Sequence, residues 1–586
     1  MTNADVARVF EQVADLMEIK GEDGFRVNSY RRVARTIEDM PGEIADVAAR
    51  GELNTLAGIG KASAEKIQEL LSTGKLTLRE ELLAEVPETL LKLLEIPGVG
   101  PKKVALLWKE RSITSLDDLK AAIDAGRLDG LKGFGAKSIE SIKSGIEFLS
   151  KSTGRTRLGV AWDVAAHFRA AVASLPGAQR VECAGSLRRG VETIGDIDLL
   201  CTAQPEKAAA AIIEKFTKLP GVAKVLAQGD TKGSVLVEYA PGKVVQIDLR
   251  VVPAASFGAA WLYFTGSKEH NIRMRERAGK RGWTLNEYAL SDEKSGKVIA
   301  SETEESIYTA LGCPWVPPEL REDRGELDAK SFPADLLTLD MIRGDLHMHT
   351  TASDGRNTVE EMMAAARERG YEYICITDHS QSSTIANGLK PDRLKKHIDA
   401  VRKIAAKSGF LRVMIGAEVD ILVDGQLDYD DDLLAQLDWV VASVHAGQGK
   451  DIEKNTARTL AAIRNPYVNL IAHPTGRLLG KRDAMPLDID AVAREAARTG
   501  TALEINASNY RLDLRDQHAR RAVELGAMIC IDCDAHGTEQ FDQMRFGVST
   551  ARRAGLRRDN VLNTQSADRI AAFVKQKRDL AAAGKL

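Results

Sequence analysis

Two groups of residues in this 586-residue chain have the types and spacings that chemistry needs. The first lies in CAGSLRRGVETIGDIDLLC, Cys183 to Cys201. Asp196 and Asp198 stand two apart in an apolar run, so on a strand they share a face. Carboxylates so placed repel each other unless a divalent cation lies between them. Magnesium takes oxygen ligands and commonly shares its shell between carboxylates and a substrate phosphate. Gly185 lets backbone approach a triphosphate, and Ser186 with the Arg188-Arg189 pair can donate to phosphate oxygens. A further acid, Asp248, sits inside the apolar run VVQIDLRVV.

The second group begins at residue 343, where short apolar segments end repeatedly in metal-type residues. GDLHMHT supplies His347 and His349, two apart on one strand face, and SDG supplies Asp354. ICITDHS gives His379, MIGAEVDI gives Glu418, VVASVHAG gives His445, NLIAHPTG gives His473, and ICIDCDAH gives Asp534 and His536. Helical segments intervene, as in a β/α barrel, whose strand ends share one active face. Six of the ten histidines fall in this set. Mixed imidazole and carboxylate ligands suit zinc, manganese or iron, and nine such residues at successive strand ends point to a multinuclear metal site. His167, His270, His397 and His518 lack this context and read as ordinary packing. Cys530 and Cys533 lie in an apolar run with no second pair, so they read as buried structural thiols.

The elements that must position these groups follow from pattern. At this length several domains are expected, each with its own core. No run of about eighteen apolar residues suggests a membrane span. MTNADVARVFEQV lacks the apolar core of a signal peptide, and six scattered cysteines fit a reducing cytoplasm. Residues 101–300 hold 31 Lys and Arg against 22 Asp and Glu, while 301–350 hold 4 against 11. The middle of the chain is therefore electropositive, suited to a phosphate backbone.

Residues 1–50 have helical periodicity broken at Pro41-Gly42. An apolar-x-Gly-apolar-Gly turn before a helix then occurs three times: Gly58-Ile59-Gly60, Gly98-Val99-Gly100 and Gly133-Phe134-Gly135. Such turns expose backbone N–H groups at a helix N-terminus, where a DNA phosphate can bind without regard to sequence. Lys61, Lys102, Lys103 and Lys137 add charge nearby. In WLYFTGSKEHNIRMRERA, Gly266 permits a kink, Tyr263 and Phe264 can face a sugar, and Asn271 and Arg275 share a helix face at i, i+4. Pro314 to Pro333 reads as a proline-rich acidic linker.

These motifs carry a resemblance. Residues 1–318 resemble the family X DNA polymerases, the class of polymerase beta, through GSLRRG…GDID, QIDLR and YFTGS. Residues 343–586 resemble the PHP (polymerase and histidinol phosphatase) domain through HMH…TDH…AHP…DAH. The order is similar to that of bacterial and archaeal family X polymerases with a C-terminal PHP domain.

The resemblance implies a multidomain fold. Its parts would be α-helical helix-hairpin-helix domains, an α+β polymerase-beta-like nucleotidyltransferase palm and thumb, and a distorted β/α barrel. Expected bounds are a lyase-like domain at 1–82, a fingers-like domain at 83–150, palm at 151–253, thumb at 254–318, linker at 319–342 and PHP at 343–586. Asp196 and Asp198 would bind two magnesium or manganese ions, and Asp248 the one that activates the primer 3′-hydroxyl. Arg155, Gly185, Ser186, Arg189 and Gly195 would hold the triphosphate. Tyr263, Phe264 and Gly266 would contact the sugar, Asn271 the base edge and Arg275 the template.

For the PHP domain the resemblance implies up to three manganese or zinc ions. His347, His349, Glu418 and Asp534 would form one site, Glu418 with His445 and His473 a second, and Asp354, His379 and His536 a third. Lys66 falls where the family's Schiff-base lysine falls, with Tyr30 and Arg26 nearby on DNA, although Ala62 and Phe25 depart from the animal pattern. The hairpin carbonyls would hold a monovalent cation. The implied function is gap filling in DNA repair by a cytoplasmic monomer, acting on gapped or primer-template DNA and dNTPs. The PHP domain would add 3′-5′ exonuclease or 3′-end trimming, with cleavage at abasic sites a further expectation. A template-independent nucleotidyltransferase with a PHP phosphatase, or a polymerase with a purely structural PHP domain, are the competing readings.

Overall fold

A computed structural model describes the chain except residues 2, 39–43, 57, 95, 97–98, 136–137, 141, 144–145, 147–154, 329–334, 408 and 410. Gly98, Lys137, the Pro41-Gly42 break and the expected 150/151 boundary lie outside the described residues. The chain divides into two compact units, one of residues 1–153 with 480–482, the other of 154–479 and 483–586.

The first unit is helical among its described residues, from Asn3–Lys20 to Leu116–Asp124, around one apolar core. The repeated turns fold alike because each buries its middle apolar residue: Ile59, Val99 and Phe134 are all under 5 % exposed. In each, that residue's N–H donates three residues back, to Leu56, Ile96 and Leu131. Gly60 and Gly100 cap helices Lys61–Thr73 and Pro101–Arg111 without any side-chain acceptor, which leaves helix N–H groups open for an anion.

The second unit opens with a five-stranded sheet. Its spatial order is Ala178–Cys183, Asp196–Ala203, Lys243–Val252, Lys232–Ala240, Val222–Gln228. Only Asp196–Ala203 and Lys243–Val252 run parallel, and their register sets Asp198 beside Asp248 and Asp196 beside Gln246. Helices Phe257–Thr265, Lys268–Gly279 and Glu304–Ala310 follow with a small antiparallel sheet.

The acidic stretch expected as a linker is packed over 316–328. Arg321 is fully buried, and Val316 and Leu327 join the core beneath Lys268–Gly279. Its buried charges are paired. Arg321 and Arg188 each grip both oxygens of Glu304 at 2.7–2.9 Å, and Glu326 accepts from His270 at 2.7 Å. The two guanidiniums hold the Glu304 carboxyl down to about 2 against the opposing effect of burial.

Seven parallel strands then lie in sequence order, Gly344–Asp345 to Met528–Asp532, with helices between them. This is the arrangement of a PHP barrel. The first strand is shorter than the HMH pattern suggests: it ends at Asp345, and only Met348 makes a further bridge, to Ala535. Alternation nevertheless persists, with Leu346 and Met348 in the cores and both histidines at the site. Cys530 and Cys533 are buried free thiols. Among the described residues no helix is long and apolar enough to cross a membrane.

The closing helix Ala567–Ala582 is pinned by Lys577, fully buried and donating to Ile463 O at 2.8 Å, Thr501 Oγ1 at 2.6 Å and Val468 O. Burial pushes its ammonium down to about 7 from 10.5. Between those values the unfolded chain binds a proton that the folded chain does not, so stability rises with pH across that window and is flat below it. Relative to Lys577→Met, the wild type should gain about 1.4 kcal/mol per pH unit from pH 7 towards 10 in urea unfolding. Parallel curves for the two proteins would refute this.

Candidate active sites

The first site grows from the loop before Asp196. Residues Gly185–Arg188 form a single helical turn rather than an open loop, held by Ala184 N–H donating to Asp198 O at 2.9 Å. Gly185 has φ +62°, and a Cβ there would lie 2.1 Å from Asp198 Oδ2, so only glycine fits. Burial, then Asp196 and Asp248, push the Asp198 carboxyl up to about 7. Asp248 lies below the usual range: burial opposes this, but Gln246 at 2.8 Å, Lys232 at 3.0 Å and Ser234 outweigh it.

The three acids stand on adjoining strands, yet their oxygens do not gather into a ligand cluster among the described residues. Lys232 pairs with Asp248 instead, at 3.0 Å. The sequence reading missed Lys232, which meets Asp248 only through the hairpin register pairing Ser234 with Asp248.

Around these acids the expected nucleotide contacts are distributed unevenly. Arg155 donates to Thr193 Oγ1 at 2.9 Å, and its guanidinium lies 3.3 Å from where a Gly195 side chain would be. Ser186 lies on the helical turn and accepts from Val191 N–H at its carbonyl. Tyr263, Asn271 and Arg275 line one small cleft. Asn271 Nδ2 donates to Tyr263 O at 2.7 Å, and the Tyr263 and Phe264 rings meet edge-on at 5.2 Å. Phe264 also lies 4.4 Å beneath Arg250. Gly266 ends the aromatic helix with φ +69°, its Cα side facing the Arg189 guanidinium.

In the helical unit, Lys66 is half-buried on Lys61–Thr73, its amine 3.4 Å from Ala62 O. Tyr30 corrects an expectation. Its residue is 8 % exposed and its ring packs 6.0 Å from Phe10, so it builds the core rather than a DNA-facing surface. Lys102 is exposed beside Gly100, and Phe25 faces solvent at 88 % exposure.

The second site closes tightly. Among the described residues, three groups present ligand atoms within 4.8 Å: His349, Asp354, His379 and His536; His347, His349 and Asp534; His379, Glu418 and His445. His473 Nε2 meets Glu418 Oε1 at 2.9 Å. The nine expected residues therefore converge, although His349 serves two groups and His379 lies with Glu418 as well as with Asp354. The rings of His379 and His536 flank His349 at 4.2 Å each. His473 and Asp534 adopt φ of +28° and +52°, strained backbone of the kind that collects at functional sites.

The donor set fits cations. Glu418 Oε2 is buried without a hydrogen bond, yet His347 Nε2 and His349 Nε2 stand 3.6 Å away and His379 Nδ1 2.9 Å away. Burial drives His349 down to about 4 and His473 to about 3, the neutral form that ligates. His379 is raised to about 9, Glu418 outweighing the effect of burial.

Carboxylates behind the ring fix its imidazoles: Glu504 with His347 Nδ1 at 2.7 Å and Asp420 with His445 Nδ1 at 2.5 Å. Glu504 is not singled out from the sequence above, although an acid inside the apolar strand Ala502–Asn506 is a signal that points to it. Arg511 carries no such signal. Its Nε lies 3.6 Å from Asp534, while its buried Nη1 has no hydrogen-bond partner.

Comparison with known proteins agrees with this architecture. The chain matches the DNA polymerase beta thumb over 260–322, a helix-hairpin-helix domain over 1–76, a SAM-like helix-hairpin-helix tandem over 90–147 and the PHP domain over 345–508. It is 38 % identical over 577 residues to the DNA polymerase/3'-5' exonuclease PolX of Bacillus subtilis, covering 98 % of this chain and 100 % of that protein. The chain belongs to the family X DNA polymerases with a C-terminal PHP domain. Parts of it are also similar to other proteins. DNA polymerase lambda of Arabidopsis thaliana is 28 % identical across 54 % of this chain and 62 % of its own length. A probable phosphatase of Thermoanaerobacter is 30 % identical across 40 % of this chain and 95 % of its own. His347, His349, Asp354, His379, Glu418, His445 and His473 lie within the PHP match, whereas Asp196, Asp198 and Asp248 lie outside all four matches.

Proposed function

We propose that this chain is a DNA-directed DNA polymerase that fills short gaps during repair and trims 3′ ends with its PHP domain. The observation that carries the reading is similarity across 98 % of this chain to a polymerase/exonuclease, in a chain that carries both the three aspartates and the nine-residue ring. The division into modules at 1–82, 83–150, 151–253, 254–318 and 343–586 belongs to the same proposal.

Asp196, Asp198 and Asp248 would hold magnesium or manganese, and the ring from His347 to His536 manganese or zinc. Divalent ions so bound supply charge stabilisation for the attacking and leaving oxygens of an in-line phosphoryl transfer. The chain's own residues do the rest. The turn at Gly185 and Ser186, with Arg155, Arg189 and Gly195, receives the triphosphate. Tyr263, Phe264 and Gly266 bound the sugar, Asn271 meets the base and Arg275 the template. The Gly-x-Gly turns and Lys102 hold DNA phosphates, with a monovalent cation on the hairpin carbonyls. Lys66 would carry a lyase step on a 5′-deoxyribose phosphate. The working form is a cytoplasmic monomer.

In the PHP site, Arg511, its side chain 16 % exposed and its Nε 3.6 Å from Asp534, would be a donor for the scissile phosphate. Arg511→Met should slow shortening of a primer about 100-fold, the scale of one lost donor at a developing charge, and leave extension unchanged. Unaltered shortening would remove Arg511 from the site. The function itself is tested by offering each dNTP singly on a one-nucleotide gap with magnesium or manganese. Incorporation of the complementary nucleotide alone is expected. Incorporation regardless of the template base would favour a template-independent transferase.

A further inference from the structure

The nucleotide loop is braced from the C-terminal barrel. Arg189 Nε lies 3.1 Å from Glu322 Oε1, and its Nη1 donates to Thr265 O at 2.6 Å. The same Glu322 oxygen accepts from Arg553 Nη1 at 2.8 Å, and that Nη1 also lies 2.9 Å from Arg189 O. Arg553 ends the helix Met544–Arg553 of the barrel, and Asp516 takes its other nitrogen at 3.2 Å. The helix presses so closely on the loop that a Cβ on Gly190 would lie 2.0 Å from Ser549 Oγ. Glu322, Arg553, Asp516 and Ser549 are not among the residues assigned to either site.

Two guanidiniums thus share one carboxylate oxygen, and one of them is the proposed triphosphate arginine. On that reading, an incoming nucleotide competes with Glu322 and Thr265 O for the Arg189 guanidinium. The side chains of Glu322 and Arg553 are only 19 % and 10 % exposed, so a carboxylate left there alone would be costly. Arg553 removes that cost by remaining on Glu322 when Arg189 departs. Without Arg553, Glu322 would hold Arg189 as its sole strong partner.

We propose that Glu322 and Arg553 are positioning residues for the incoming nucleotide, a clasp through which the PHP barrel sets how readily Arg189 is released to a triphosphate. This rests on the reading of Arg189 above. It predicts opposite signs for the two partners: losing the barrel's charge tightens the grip on Arg189, and losing the carboxylate loosens it.

The test is dNTP dependence on a one-nucleotide gap with the full chain, measured for Arg553→Met, Glu322→Gln, the double variant and Arg189→Met. Primer shortening serves as the check on folding. Arg553→Met should raise KM for dNTP about tenfold, the scale of one charged hydrogen bond, with kcat within about twofold and shortening unchanged. Glu322→Gln should lower KM, alone and in the Arg553→Met background. An unchanged KM in Arg553→Met overturns the clasp, as does a double variant worse than Arg553→Met. If Arg553→Met does not fold, Glu322→Gln still decides, since a merely structural carboxylate would not lower KM when removed. Arg189→Met separates the two claims. If it leaves KM unchanged, the triphosphate reading fails. If it raises KM and Arg553→Met does not, only the clasp fails.

Discussion

Asp198→Ala should abolish extension of a gapped duplex, by about 1,000-fold or more, while leaving shortening of the same primer intact. Asp198 is the most burdened of the three acids. It faces Asp248 in register, shares a strand face with Asp196, and is packed so closely that its oxygen excludes any side chain on Gly185. Burial and its two acidic neighbours lift it to about 7, so the site is built to gain from a cation. A lost charge at a reacting centre costs about 4 kcal/mol for a thousandfold effect. The PHP ring shares no ligand with this site, so its activity should not follow. Extension that falls less than tenfold would place the chemistry elsewhere.

His349→Ala should have the converse effect, removing shortening by a comparable factor and sparing extension. His349 is fully buried, belongs to two of the three ligand groups, and has the rings of His379 and His536 on either side. Its loss deprives two groups at once and leaves Asp534 without its 3.1 Å partner. Unchanged shortening would make the ring a scaffold, which is the reading that competes most directly. Urea unfolding of the variant checks that lost shortening is not lost structure.

Much of this was legible in the sequence because the informative residues are local in chain and face. Asp196 and Asp198 needed only the two-residue period of a strand. His445, His473 and Asp534 each stand two residues beyond a strand end, and a parallel barrel brings such ends together. The repeated turns announced themselves through Ile59, Val99 and Phe134.

What the sequence hid was register and burial. Lys232 reaches Asp248 only through a hairpin pairing, and Arg511 meets Asp534 from another strand end. Tyr30 was expected on DNA from the resemblance alone, and nothing in VNSYRR says which helix face is inward. The stretch 316–328 looked like a tether because proline and acid usually mean solvent. Here Glu304 and His270 on neighbouring helices supply the partners that let Arg321 and Glu326 be buried.

The most direct test is a single gapped-duplex assay of Asp198→Ala and His349→Ala beside the wild type, following primer lengthening and shortening together. The account predicts that each variant loses one activity and keeps the other. A single substitution that abolished both, or a pair that abolished neither, would contradict it.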